Sequence, residues 1–327
     1  MRRRDFIKVI AGSAAAWPLI ARAQQVAKPV IGFLTSRGSD DAPALLAAFR
    51  QGLEEKGFVE GQNIVIEYRF GENQFKRLPT LAADLVHRHV DVIAATTTPA
   101  ALAAKAATTS IPIVFETGND PVEVGLVTSL NRPSGNVTGA TQMNVELTPK
   151  QVEVLHDLVP GATVIALLVN PADSASAEIE SKAASLAART LGLEFHVVNA
   201  STERDFERVF AEVRELRAGG LVIATETLFT THSEKLAALA VRNGVPAIYK
   251  GREFAAAGGL LSYGSDIKES YRLAGIYTGR ILKGEKPAEL AVQQATKIEL
   301  YINLKTARTL GITIPLPLSG RADELIE

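Results

Sequence analysis

Cysteine is absent from the 327 residues, which excludes a disulfide scaffold and a thiolate metal site. Charge of one sign is missing as well: 35 Lys and Arg stand against 36 Asp and Glu, so nucleic acid is not an expected partner. No run is long and apolar enough to stay in a membrane. The longest apolar stretch, residues 9–20, is broken by Pro18 and falls short of the ~20 residues a spanning helix needs. Enzyme signatures are missing too. There is no G-x-S-x-G, H-E-x-x-H or P-loop, and no G-x-G-x-x-G follows a strand, which argues against hydrolase, metalloprotease, NTPase and dinucleotide chemistry. His87 and His89 stand two apart on a predicted helix, where they share no face, so neither a metal nor a cofactor is expected.

What the chain does have is 46% hydrophobic residues and a length suited to about two domains. It opens with Arg2-Arg3-Arg4-Asp5-Phe6-Ile7-Lys8, then the apolar stretch, then Ala21-Arg22-Ala23. This is the layout of a signal peptide over residues 1–23 with a twin-arginine character, cut near Ala23, and it predicts a periplasmic protein. Removing it takes away five bases (Arg2, Arg3, Arg4, Lys8, Arg22) and one acid (Asp5), which turns 35 and 36 into 30 and 35. The mature chain is then mildly acidic. Trp17 leaves with the leader, so no tryptophan remains.

Beyond residue 24, short strand-like apolar runs alternate with segments of helical period, the pattern of βαβ units building parallel sheets. A first series has strands at 29–35, 64–70, 90–95, 111–116 and 136–139, with helices at 43–56, 77–90 and 99–108. A polar stretch, 140–148, precedes a second series with strands at 163–170, 194–199, 220–225, 246–250 and 259–263 and helices at 175–191, 204–217 and 233–243. The tail adds a helix at 266–282, a Gly/Pro-bearing link at 283–287, and a strand and helix through 297–310. Architecture recurs without a close sequence repeat. The fold class is α/β, with two doubly wound parallel-sheet lobes.

Ligands of doubly wound sheets sit beyond the strands' carboxyl ends, where helix N-termini offer free N–H groups. Three junctions there share a device: Thr98-Pro99, Asp120-Pro121 and Asn170-Pro171 each place a cap-type residue before a proline suited to a first helical turn. Thr96, Thr97 and Thr98 supply three hydroxyls where one cap would suffice. Further strand-end candidates are Ser36, Glu116, Thr117, Ser174, Thr225, Glu226, Lys250 and Asp266.

Several stretches resemble a known family: 96–115 (TTTPAALAAKAATTSIPIVF), 119–126 (NDPVEVGL), Asn136-Val137-Thr138-Gly139, Val169-Asn170-Pro171 and 278–287 (TGRILKGEKP). In order and spacing they are similar to the substrate-binding proteins of ABC importers in the group that includes a tryptophan-binding member. That resemblance implies the type I periplasmic binding-protein fold, with lobes of 28–142 plus 266–293 and 146–262 plus 296–327. Three crossover hinge segments would join the lobes, a small-molecule ligand would lie between them, and a membrane permease would be the partner. It also implies Thr97 and Thr98 against a ligand carboxylate and Asp266 against an amine. At Thr225-Glu226-Thr227 the sequence departs from the best-known members, so tryptophan is not carried over as the ligand. The expectation is a solute receptor for an amino acid or related organic acid. An exported two-domain enzyme using the same cleft and a sensor subunit for a receptor kinase are the alternatives.

Overall fold

In the computed structural model, which describes residues 28–39, 43–133, 135–295 and 297–327, the apolar runs form two separate sheets. The leader and its cleavage site lie outside the described residues. The first sheet is built from β1 (Val30–Thr35), β2 (Val65–Phe70), β3 (Val92–Thr96), β4 (Ile113–Thr117) and β5 (Val137–Thr141). The second takes β6 (Val164–Val169), β7 (Glu194–Asn199), β8 (Gly220–Ile223), β9 (Ala247–Tyr249) and β10 (Leu261–Ser265). The tail then divides: β11 (Gln293–Gln294) joins the first sheet, whereas β12 (Ile298–Asn303) and β13 (Glu324–Ile326) extend the second.

Strand order is β11-β5-β4-β3-β1-β2 in one sheet and β13-β12-β10-β9-β8-β6-β7 in the other. Each sheet therefore reverses direction once, between β1 and β3 and between β6 and β8. Pairing is parallel throughout except for β10 with β12. Because side chains alternate across a strand, the first sheet buries two faces. Ile31, Phe33, Val92, Ala94 and Val114 pack beneath the helices Pro43–Glu54 and Ile267–Leu282, and Leu34, Ile93, Ala95, Ile113 and Phe115 beneath Leu78–His87 and Thr98–Ala107. Burial on both faces is why these strands read as continuous apolar runs.

The helix Thr148–Leu158 is not among the elements expected from the sequence, where it follows directly on the polar stretch 140–148. Its first turn, Thr148-Pro149-Lys150-Gln151, is polar, yet Val152, Val154, Leu155 and Leu158 are buried in the second core. The short helices Thr227–Thr231 and Arg252–Ala256 and the strands β11 and β13 were likewise unanticipated. The chain passes between the sheets three times: after β5, after β10, and between β11 and β12. On the second passage Ile267–Leu282 returns to lie against Pro43–Glu54 with almost no side chain between them. A Cβ built on Gly275 would stand 2.1 Å from the Phe49 carbonyl oxygen, and one on Gly52 2.0 Å from that of Arg272.

Candidate functional site

Strand-order reversal in a doubly wound sheet leaves a crevice at the carboxyl ends of the strands. Here the crevices of both sheets contribute to one cavity of about 40 Å³. From the first sheet come Arg37 after β1, Thr97 and Thr98 after β3, and Glu116, Gly118 and Asn119 around the end of β4. The second supplies Asp173 and Ser176 after β6, Thr225, Glu226 and Thr227 after β8, and Lys250 after β9. Gln142 and Ile267, from two of the crossovers, complete the wall.

The sheets touch directly across this cavity. Ser36 Oγ and Thr227 Oγ1 are 3.3 Å apart, and Asn119 Nδ2 donates to Ser176 Oγ at 3.0 Å. Ser176 in turn donates to Asp173 Oδ2 at 2.9 Å. Thr98 Oγ1 and Thr117 Oγ1 lie 2.5 Å apart, tying the first helical turn after β3 to the end of β4. Thr97 adopts φ 113°, a conformation that a β-branched residue rarely enters. It is held there by its N–H on the Glu116 carbonyl at 2.9 Å and by its own carbonyl, which accepts from Ala101 N at 3.0 Å. Strain of this kind persists where surrounding structure enforces it, and it clusters at ligand clamps.

A second set of bonds runs from the cavity to the crossovers. Gln142 Nε2 donates to Glu116 Oε1 at 2.5 Å, Asn144 Nδ2 donates to Gln142 Oε1 at 2.5 Å, and Ser265 Oγ donates to Asn144 Oδ1 at 2.8 Å. The three bonds form a relay of which only Gln142 reaches the Glu116 carboxylate, and Gln142, Asn144 and Ser265 are all buried. Beside this arrangement, and sharing Gln142, Lys250 and Ile267 with the small cavity, a groove of about 460 Å³ extends over Arg252, Glu253, Asp266 and Tyr301.

A family model for ABC transporter substrate binding proteins matches residues 39–326. The chain belongs to that family. A curated relative, a tyrosine-binding protein of Clostridioides difficile (strain R20291), is 27% identical over 265 residues, covering 81% of this chain and 75% of the relative. Among solved structures, a conserved domain protein from Vibrio cholerae superposes with a TM-score of 0.82 at 27% identity, covering 91% of this chain and 99% of the other. An ABC domain from Streptococcus pneumoniae in complex with L-Trp gives the same TM-score, 0.82, at 23% identity, covering 91% of this chain and 100% of that one. The fold is thus the type I periplasmic binding-protein arrangement of two lobes joined by crossovers.

The strand-end residues of this substrate-binding protein divide into two groups. Thr97, Thr98, Glu116, Thr225, Glu226 and Lys250 line the cavity. Ser36 reaches it through its bond to Thr227, Thr117 through its bond to Thr98, and Asn170 lies beside Glu226. The others do not reach it. Thr96 is enclosed within β3, and Ser174 is an exposed first residue of the helix Ser174–Thr190, which Asp173 caps. Asp120 accepts from Val122 N at 2.7 Å in a local turn, not at a helix start. Asp266 is exposed, caps Ile267–Leu282 through Lys268 N at 2.8 Å, and borders only the larger groove. A cap oxygen spent on its own backbone is not free for a ligand. Conversely, Arg37, Asn119, Gln142, Asp173 and Ser176 were missed: the first four sit in aperiodic segments after strands, and Ser176 in the first turn of a helix, where a serine reads as part of the cap.

Burial pushes the carboxyl groups of the cleft and Lys250 toward their neutral forms. Glu226 is raised to about 7, by burial first and then by the neighbouring Asp173. Glu116, Asp173 and Glu180 are raised by burial, and Lys250 is lowered by burial and then by Arg37. Glu180 stands behind the cavity and receives Thr225 N at 2.8 Å, which fixes the start of the Thr225–Thr227 turn. Between the ordinary glutamate value of 4.5 and about 7, folded Glu226 keeps a proton that the unfolded chain releases, so its contribution to stability falls as pH rises through that window. Glu226→Gln stays neutral throughout. Relative to the unmodified protein it is expected to gain up to about 3 kcal/mol between pH 5 and 8, read from urea titrations at each pH. A difference that does not change with pH would mean Glu226 ionises normally.

Proposed function

We propose that the protein is a periplasmic solute receptor that closes on a small polar ligand, an amino acid or related organic acid, and presents it to a membrane permease. In this reading the lobes are residues 28–142 with 266–293 and residues 146–262 with 296–327, and residues 1–23 are the export signal. The observation that carries the reading is the cavity itself. It lies between two sheets at both strand-order reversals, is lined by hydroxyls and by charges of both signs, and is spanned by direct bonds between the lobes. Hydroxyls and opposite charges are what a zwitterion or carboxylate needs once it leaves water. The tyrosine and L-Trp in the names of two similar proteins support an amino acid as the class of ligand.

The test is a thermal-shift screen of the purified protein against amino acids, organic acids, sugars and nucleotides, with native mass spectrometry for co-purified solute. A ligand at 100 times its dissociation constant adds about 2.7 kcal/mol of stability, enough to raise the melting temperature by several degrees. A hit among amino or organic acids, recovered unchanged, is the expected result. Consumption of the hit, or a response only to nucleotides or sugars, would overturn the reading.

A further inference from the structure

The relay from Glu116 to Ser265 stands where the chain leaves one lobe for the other. Glu116 lies near the end of β4 on the cavity wall, Gln142 and Asn144 lie in the first crossover, and Ser265 closes β10 at the start of the second. All four are buried, with 1% to 6% exposure. The bonds run in one direction. An ionised carboxylate only accepts, so Gln142 turns its amide nitrogen to Glu116 and its oxygen to Asn144, and Asn144 turns its oxygen to Ser265. Asn144 Oδ1 takes both the Ser265 hydroxyl, at 2.8 Å, and the Ser265 N–H, at 3.1 Å. Between Gln142 and Asn144 stands Met143 with φ 48°, the one non-glycine residue in the left-handed region among the described residues of the three crossovers. Its two neighbours bond to each other around it, and its own N–H donates to Thr141 Oγ1 at 3.1 Å. A non-glycine residue keeps this conformation only where its surroundings enforce it.

Resting on the reading of a receptor whose lobes open and close, we infer that Gln142 is a positioning residue for closure, linking the Glu116 carboxylate of the cavity to both crossovers and bracing Met143 in the hinge conformation of the closed lobes. The direct bonds between the lobes, Ser36 with Thr227 and Asn119 with Ser176, mark the closed arrangement. Opening turns the backbone at Met143, and the Gln142–Asn144 bond that spans this residue does not survive the turn. The far end of the relay feels the cavity. Burial raises Glu116, while Arg37 after β1, the Gln142 amide and Lys250 after β9 act against that rise, and Tyr271 faces it from the helix Ile267–Leu282. A solute between the lobes meets Arg37 and Glu116 together, and through Glu116 it acts on the hinge. Gln142 has its Nε2 on Glu116 and its Oε1 on Asn144, so it transmits this influence through a buried network in which each bond orients the next.

Because the chain contains no cysteine, a pair introduced across the cavity supplies its only thiols. Ser36→Cys with Thr227→Cys replaces two hydroxyls 3.3 Å apart on opposite lobes. Its rate of disulfide formation in a fixed concentration of oxidised glutathione, with no solute added, reports how often the lobes close. In this background Gln142→Leu is expected to slow cross-linking at least fivefold. Adding Met143→Gly, which enters the left-handed region unaided, is expected to recover at least twofold of that loss. Gln142→Glu sets a second carboxyl against Glu116. It is expected to cross-link more slowly than the parent pair at about pH 8 and to approach it at about pH 6, where a proton shared by the two carboxyls restores the missing donor. Rates are compared with the parent pair at each pH, which cancels the titration of the thiols. A variant that had merely lost its fold would show neither recovery. Equal rates in Gln142→Leu and the parent pair, no gain from Met143→Gly, or a Gln142→Glu ratio that is flat with pH would overturn the inference and leave a receptor whose lobes close. If the parent pair itself does not cross-link, the lobes do not meet here and the receptor reading fails as well.

Discussion

Gly275→Val is expected to lower stability by about 3 kcal/mol or more. The cause is backbone meeting backbone. A Cβ at Gly275 would lie 2.1 Å from the Phe49 carbonyl oxygen and 3.1 Å from Gly52 Cα, and neither can rotate away as a side chain could. Overpacking a core costs about 1–3 kcal/mol when side chains can adjust, so a rigid obstacle places this site at or above the top of that range. Relief would require the helix Ile267–Leu282 to lift from Pro43–Glu54, uncovering Phe49, Leu53 and Tyr271. Thermal unfolding followed by circular dichroism is the check, with a fall of about 6–12 °C expected. An unchanged melting temperature would mean that the helices do not cross at this glycine pair.

Gly118→Val is expected to act on the opposite quantity, leaving stability within about 0.5 kcal/mol and weakening ligand binding at least tenfold, or about 1.4 kcal/mol. Among the described residues, chain neighbours aside, the one atom within 4 Å of a Cβ at Gly118 is Thr225 Cγ2, at 2.9 Å on the other lobe. A side chain at position 118 therefore meets nothing while the lobes are apart and wedges them when they close. A ligand that must hold them together works against that wedge. Thr225→Ser removes the opposing methyl and is expected to recover part of the lost affinity in the double variant. Full affinity in Gly118→Val would show that binding does not require the approach of these two turns.

The parallel strands were legible because each is an apolar run flanked by amphipathic helices, and burial on both faces leaves that imprint on the sequence. The helix Thr148–Leu158 was not, since its N-terminal turn is polar and its apolar residues gain meaning only from the second core. The cleft was half legible for a related reason. Thr97, Thr98 and Glu226 follow strands directly, so the rule that ligands gather at strand ends finds them. Asp120, Ser174 and Asp266 satisfy the same rule, but Asp120 and Asp266 spend their oxygens on local N–H groups and Ser174 is exposed. Capping and ligand binding call for the same residue types, and composition cannot separate them. Arg37 was missed because a lone arginine in a Ser-Arg-Gly turn reads as solvated. It is buried, and its guanidinium bonds the hydroxyl of Tyr271, 234 residues further along the chain.

The three passages between sheets also determine how this chain can be divided. A fragment ending near residue 142 would keep β1 to β5 but lose Ile267–Leu282, which together with Pro43–Glu54 covers one face of that sheet, and β11, which borders β5. A fragment from 146 onward would carry that helix with nothing to cover. Neither half is a self-sufficient unit, so both lobes have to be assembled from a chain whose last quarter is already available. The order of synthesis then leaves the first lobe unfinished until β6 to β10 of the second have been made, and the cleft between them is among the last features of the molecule to form.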